Sequence, residues 1–208
     1  MQDSFPGAEI FGCFFHLCQN LKKHVGELHL NKRYNNEADF ALKAKMITAL
    51  AFVPINDLDV AFDRLAGHLP VELQPLLQWF EDFYLGRMNR NGINRRPPMF
   101  PPAMWNVYSR VLNGQDRTNN YAEAAHRRIQ LELAMNHPSV WKLIDGLRKL
   151  QKGRDIFFEQ MVAGRAPPAK LKKYTEADKR ILRIVNDYEN RDVLEYLSGL
   201  AYNYGMDP

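Results

Sequence analysis

Apolar residues recur at intervals of three and four along most of the chain, which is the spacing of helices that bury one face. Three helices are predicted before residue 87, where this spacing meets breaking or capping residues such as Pro54, Asp57 and Gly86. Their apolar positions are Leu42, Met46, Ala49, Leu50 and Val53, then Leu58, Ala61, Phe62 and Leu65, and then Leu73, Leu76, Leu77, Phe80, Phe83 and Tyr84. The pattern therefore favours a mainly α protein.

The second half of the chain continues this pattern after a loop. Asn91-Gly92 and the proline pairs at 97–98 and 101–102 exclude regular structure from residues 87–102. Further helices are predicted around Trp105, through Glu123 to Met135, and after Pro138, with Trp141, Ile144 and Leu147 buried. Thr175 and Asp178 have the spacing of a capping box ahead of two last helices.

One segment is predicted to be a strand. Ile10–Cys18 is short, apolar and aromatic, and it lies between Pro6-Gly7 and polar residues. A lone buried strand leaves backbone groups without partners on both edges. Either the strand prediction is wrong or the rest of the sheet lies outside these 208 residues, and the second interpretation is favoured by the resemblance described below.

Composition narrows the class of protein. The chain is 46% hydrophobic and 25% charged, as a folded globular protein is, and its net charge of +4 permits a nucleic-acid partner without requiring one. No apolar run is long enough for a membrane span, and no signal peptide is recognised. Cys13 and Cys18 are the only cysteines, which indicates a reducing intracellular compartment and not secretion.

The loop at residues 87–96 is a candidate DNA contact. It contains Arg87, Arg90, Arg95 and Arg96 and no acidic residue. Such a loop either contacts phosphates, which position DNA without reading its sequence, or is simply a solvated basic surface. If it contacts phosphates, replacing all four arginines should flatten the salt dependence of DNA binding.

Two short motifs resemble the Mutator-like element (MULE) transposases. The first is the C-x-x-H pair formed by Cys13 and His16, and the second is the T-N-N-x-x-E motif that starts at Thr118 and ends at Glu123. In that family the first motif follows the second catalytic Asp of an RNase H-like core, and the second motif carries the third catalytic acid. The helical stretch at residues 36–114 corresponds to the family's helical insertion. Residues 5–8 and 104–114 are also similar to the insect and animal branch.

The resemblance implies a particular organisation. The expected fold is a truncated RNase H-like (α/β) fragment with one or few strands and an all-helical insertion domain. The expected parts are a core remnant at 1–31, the insertion at 32–116, the acid-bearing helix and its successor at 117–160, and a linker with C-terminal helices at 161–208. The family's first two catalytic Asp residues have no counterpart here, because Asp3 is too close to the predicted strand.

The resemblance also implies a function. Intact members cleave DNA and transfer strands by metal-dependent chemistry, whereas this chain alone is expected to be inactive. The implied partner is transposon-end DNA, and the implied location is the nucleus. Assembly of the chain into a homo-oligomer is compatible with this partner and location. Two other classes stay open: a transposase-derived, non-catalytic helical module that binds DNA or protein, and an unrelated helical interaction protein.

The metal-dependent DNA cleavage implied by the resemblance also predicts which residues would bind metal. A pair of Mg²⁺ ions activates the attacking oxygen and stabilises the leaving one, and Mg²⁺ prefers carboxylate ligands. Glu123 would be one ligand; the alternative is a surface acid that pairs with Arg127 one turn later. Zinc is not expected, because Cys13 and His16 would point to opposite faces of a strand. A buried cysteine that packs as a small apolar side chain is the preferred interpretation.

Overall fold

The fold is built from helices. The structure is a computed structural model that describes residues 10–90, 92, 94–118, 120–133, 138–166 and 171–205, with the backbone alone at 120–123. Its helices are α1 Phe14–Glu27, α2 Asn31–Asn36, α3 Ala38–Ala49, α4 Leu58–His68, α5 Gln74–Phe80, α6 Pro102–Trp105, α7 Tyr108–Leu112, α8 Asn120–Leu133, α9 Val140–Val162, α10 Lys172–Asn186 and α11 Val193–Ala201. Within the described ranges there is no β-strand, only an isolated bridge between Met88 and Arg95. The mainly α prediction is confirmed.

The predicted strand at Ile10–Cys18 is wrong. Residues 10–13 are irregular, and α1 begins at Phe14 with Cys13 as its N-cap. The buried residues of α1 have helical spacing, and this spacing continues past the segment interpreted as a strand; they are Phe14, Leu17, Cys18, Leu21 and Val25. A short apolar run does not distinguish a strand from a buried helix. The backbone N–H groups of Gly12 and Phe14 donate to Met104 and Arg117, at 2.7 and 3.0 Å, so this entry segment needs no sheet.

The chain forms two compact units. The first contains residues 1–118 and 175–208, and the second contains residues 119–174. In the first unit α3 contacts α11, α2, α1 and α5. Ile181 and Val185 of α10 belong to the same buried core, so the C-terminal helices complete the unit that the N-terminal helices begin.

Polar bonds close the first unit where Pro54 interrupts its helices. The Asn106 amide donates to the Val53 carbonyl at 2.7 Å, and the Val107 N–H donates to the Ala51 carbonyl at 2.8 Å. The buried Tyr196 hydroxyl donates to the Phe52 carbonyl. These bonds satisfy carbonyls that would otherwise be buried without partners.

The prediction that Gly86 ends the third helix is confirmed. α5 continues into a π-helical turn, Glu81–Leu85, and Gly86 then turns the chain with φ of +86°. A Cβ at Gly86 would overlap the Arg96 carbonyl, so only glycine fits here. The turn leads into the loop at residues 87–101, where the Arg96 N–H donates to the Arg87 carbonyl at 2.9 Å.

Two local predictions in the C-terminal half are wrong. Trp141 is 77% exposed and Leu147 is half exposed, although their helical spacing predicted burial. The capping box at Thr175 and Asp178 is also wrong, because both residues lie inside α10. Asp178 instead forms an ion pair with Arg117.

None of the helices in the described ranges combines the length and the apolar character needed to cross a membrane.

Candidate functional site

The residue that matches the catalytic acid lies at the start of a helix. α8 begins at Asn120, which places Glu123 in its first turn. Backbone N–H groups of a first helical turn have no partners within the helix, and the helix dipole favours a negative charge there. Thr118 precedes the helix, and Asn119 lies outside the described residues. The backbone thus presents residue 123 where a carboxylate is stabilised.

Cys13 and His16 lie at the start of α1, in the other unit. Cys13 is half-buried and His16 is exposed. The geometric argument against a shared metal fails, because positions three apart on a helix share a face, unlike positions three apart on a strand. Among the described residues, however, no three His, Cys, Asp or Glu side chains are grouped so as to hold a metal ion.

Cys18 is a packing residue. It is fully buried in α1, and burial raises the pKa of its thiol to about 12. A thiol with this pKa stays protonated at neutral pH and is a poor nucleophile or metal ligand. Thr48 lies beside it, and the Thr48 hydroxyl is 3.0 Å from the hydroxyl of Tyr204. The preferred interpretation of a cysteine as a small buried side chain therefore fits Cys18.

Two of the four loop arginines are held by acids within the first unit. Arg95 is only 13% exposed; it donates to Glu81 at 2.6 Å and to Asp59 at 2.5 Å. The same guanidinium also donates to the Gly86 carbonyl at 2.6 Å, which ties the loop to the π-helical turn. Arg87 forms a two-bond ion pair with Asp82, and that pair is more exposed.

Arg90 and Arg96 differ from Arg87 and Arg95. Both side chains are exposed, and neither forms an ion pair with any residue in the described ranges. The sequence showed no acid inside the loop, but the neutralising carboxylates come from α4 and the π-helical turn. Only Asp82, five residues before Arg87, gave a local signal for this pairing.

Positive charge is concentrated in the second unit. Residues 119–174 contain eleven Lys and Arg and five Asp and Glu, a formal net charge of +6, whereas the rest of the chain contains 17 and 19, a net charge of −2. Several of these cations are exposed on α9: Lys142, Arg148, Lys149, Lys152 and Arg154. The second unit is therefore the stronger electrostatic candidate for an anionic partner.

The chain matches no protein-family model, no curated protein and no solved structure. The two short motifs, and the charge and exposure of the described side chains, are therefore the features that point to a function. Glu123 belongs to one unit, and Cys13 and His16 belong to the other.

Proposed function

We propose that this chain is part of a MULE-type DNA transposase and contributes the third catalytic carboxylate, Glu123. The observation that carries the proposal is the T-N-N-x-x-E motif at the start of α8. It follows a C-x-x-H pair and an intervening helical region, in the order of the family. By the same resemblance, the chain would be a fragment of the family's RNase H-like core with its helical insertion, and it would act on DNA in the nucleus.

Magnesium is the metal that this chemistry implies, and the residues present do not suffice to hold it. A two-metal site needs several carboxylates around both ions. The family's other two catalytic acids have no counterpart in this sequence to join Glu123. Among the described side chains, no three His, Cys, Asp or Glu residues are grouped so that they could hold a metal ion. We therefore derive no catalytic step for this chain, and we infer that it is inactive alone.

A cleavage assay tests the inactivity. The full chain is incubated with supercoiled plasmid in Mg²⁺ or Mn²⁺, and no nicking above a metal-free control is expected. The matched control is Glu123→Gln, which removes the charge and keeps the side-chain size. Metal-dependent nicking that disappears in Glu123→Gln would contradict the inference, since it would mean that the chain forms a complete site.

The second candidate function is non-catalytic binding, and the net charge of +6 on the second unit favours it. DNA is one ligand with the required charge. The affinity for DNA should fall steeply as the salt concentration rises, because Lys and Arg side chains that bind phosphates release counterions from the DNA. Two surfaces compete for this role: the exposed loop cations Arg90 and Arg96, and the cations of α9.

Anisotropy on a random-sequence duplex at a series of salt concentrations separates these surfaces. If the loop contacts phosphates, Arg90→Ala/Arg96→Ala flattens the slope of log K against log salt by up to about 1.8, at about 0.9 per contact. Lys149→Ala/Lys152→Ala tests α9 in the same way. Lys32→Ala/Arg183→Ala is the charge-matched control, because both residues are exposed elsewhere in the first unit. Equal slopes for all three variants would reject both surfaces.

A further inference from the structure

The loop after the π-helical turn contains a short antiparallel hairpin. The Arg96 N–H donates to the Arg87 carbonyl at 2.9 Å, and the Asn89 N–H donates to the Asn94 carbonyl at 2.8 Å. Three opposite pairs of residues define the hairpin, and they are Arg87 with Arg96, Met88 with Arg95, and Asn89 with Asn94. Because successive residues of a strand point to opposite faces, the first and third pairs share one face and the middle pair lies on the other.

The face that carries Arg95 lies against the rest of the first unit. The Arg95 side chain is largely buried, and its guanidinium donates to two carboxylates and to the Gly86 carbonyl. An isolated two-stranded hairpin is marginally stable at best in water. These bonds therefore hold the hairpin on the surface of the first unit and determine which face points outwards.

The outer face of the hairpin presents hydrogen-bond donors to solvent. Arg87, Asn94 and Arg96 are exposed, and Asn89 is half-buried. The ion pair between Asp82 and Arg87 offsets the repulsion between two arginines that lie opposite each other. Within the described ranges, the side chains of Asn94 and Arg96 form no hydrogen bond with another residue. Their amide and guanidinium groups are therefore available to a ligand.

The width and the donors of this face match the major groove of DNA. Paired strands lie about 4.8 Å apart before their side chains are counted. A two-stranded ribbon fits the major groove, which is about 12 Å wide, but not the minor groove, which is about 6 Å wide. Guanidinium and amide groups are also the side chains that form paired hydrogen bonds with the major-groove edges of guanine and adenine. The arginines give the face the charge that attracts DNA.

We propose that the outer face of this hairpin reads base edges in the major groove of DNA, with Arg96 bonding a guanine and Asn94 bonding an adenine. The proposal rests on the DNA binding proposed above, and it adds sequence recognition to a contact with phosphates. Residues two apart on a strand are separated by about 6.8 Å, and successive base pairs by about 3.4 Å. The guanine and the adenine should therefore lie about two base pairs apart.

Selection from a pool of DNA duplexes with a random central segment tests base reading. The full chain binds the pool at low salt, and the bound duplexes are sequenced. A guanine and an adenine about two base pairs apart should be enriched. Arg96→Ala should remove the preference for the guanine alone, and Asn94→Ala the preference for the adenine alone. Asn36→Ala/Arg183→Ala is the matched control, since both residues are exposed elsewhere in the first unit, and it should keep both preferences.

A modified base identifies the groove. Replacing the selected guanine by 7-deazaguanine removes its N7 acceptor, which lies in the major groove. This change should weaken binding of the parent chain about tenfold and should not weaken binding of Arg96→Ala further. The measurement on the parent chain does not depend on the folding of a variant, and circular dichroism checks that each variant keeps its helix content.

The results that would overturn base reading are distinct from those that would overturn DNA binding. A parent chain that binds the pool without enriching a sequence, or whose enriched sequence is unchanged in both hairpin variants, overturns base reading alone. Equal binding of the guanine and 7-deazaguanine duplexes by the parent chain does the same. Affinity for single-stranded RNA equal to that for the selected duplex assigns the face to RNA and overturns the proposal. A parent chain that binds no duplex at low salt overturns base reading and DNA binding together.

Discussion

The two units differ in how completely they bury their apolar side chains. In the first unit, large residues such as Leu21, Phe52 and Phe80 are fully buried in one continuous core. In the second unit, α9 buries a single residue, Leu150, and leaves Trp141 and Phe158 mostly exposed. Helical spacing is equally clear in both, so spacing predicts a helix without showing whether its apolar face is covered inside the same chain.

The largest expected effect comes from removing one leucine from each unit. Leu76 is fully buried in α5, and Leu76→Ala should lower the free energy of unfolding by about 2–5 kcal/mol. Leu131, on α8, is mostly exposed, and Leu131→Ala should change the free energy of unfolding by less than about 0.5 kcal/mol.

Urea denaturation measures both variants. Circular dichroism follows the helices of both units, including that of Leu131, and fluorescence in a Trp141→Phe background, where Trp79 and Trp105 remain, follows the first unit alone. Equal losses for the two leucine variants would contradict the distinction, since it would mean that Leu131 is covered in solution.

The loop arginines extend the comparison to a smaller scale. Arg95→Ala removes hydrogen bonds to two carboxylates and one carbonyl, and it should destabilise the first unit by about 1.5–3 kcal/mol. Arg90→Ala, at an exposed position of the same loop, should cost less than about 0.5 kcal/mol. Thermal unfolding followed by circular dichroism compares them. Arg95→Lys is the control for charge alone, because lysine lacks the branched guanidinium that reaches three acceptors.

The helices whose bounds are set by local sequence features could be predicted. α3, α4 and α5 follow from three- and four-residue spacing together with Pro54, Asp57 and Gly86. The prediction failed at α1, where the apolar run at Ile10–Cys18 fits a strand or a helix and the resemblance favoured the strand. The predicted Thr175–Asp178 capping box failed because α10 already begins at Lys172, and Asp178 pairs instead with Arg117, 61 residues away.

The candidate site was less predictable, for the same reason. The sequence showed four arginines near one another and no acid among them. It could not show that Asp59 and Glu81 reach Arg95, since those contacts depend on how α4 and the π-helical turn pack. Local spacing predicted a helix through Glu123, and the structure places residue 123 in the first turn of α8, which begins at Asn120.

The smallest expected effect is a difference in pH dependence between two helix caps. Asp192 caps α11 in the first unit, where its carboxylate accepts from the Leu194 N–H at 2.9 Å; Ser139 caps α9 in the second unit. The bond from Leu194 lowers the pKa of Asp192, and Arg64 lowers it further. A carboxylate whose folded-state pKa is depressed stabilises the protein above its unfolded pKa, about 3.9, and this contribution is lost as the pH falls through the folded-state pKa.

Asp192→Asn keeps an oxygen acceptor at the cap and removes the titration. The difference in unfolding free energy between the parent and Asp192→Asn should therefore be largest at neutral pH. It should shrink as the pH falls below about 4, towards the folded-state pKa of the Asp192 carboxyl. Ser139→Ala removes a hydroxyl that does not titrate, so its effect on α9 should be the same throughout. Urea denaturation at pH 7, 5, 4 and 3 measures both series. A parent-minus-Asp192→Asn difference that stays constant across this range would show that the Asp192 carboxylate stabilises α11 no better than a neutral amide, and the two caps would then be equivalent.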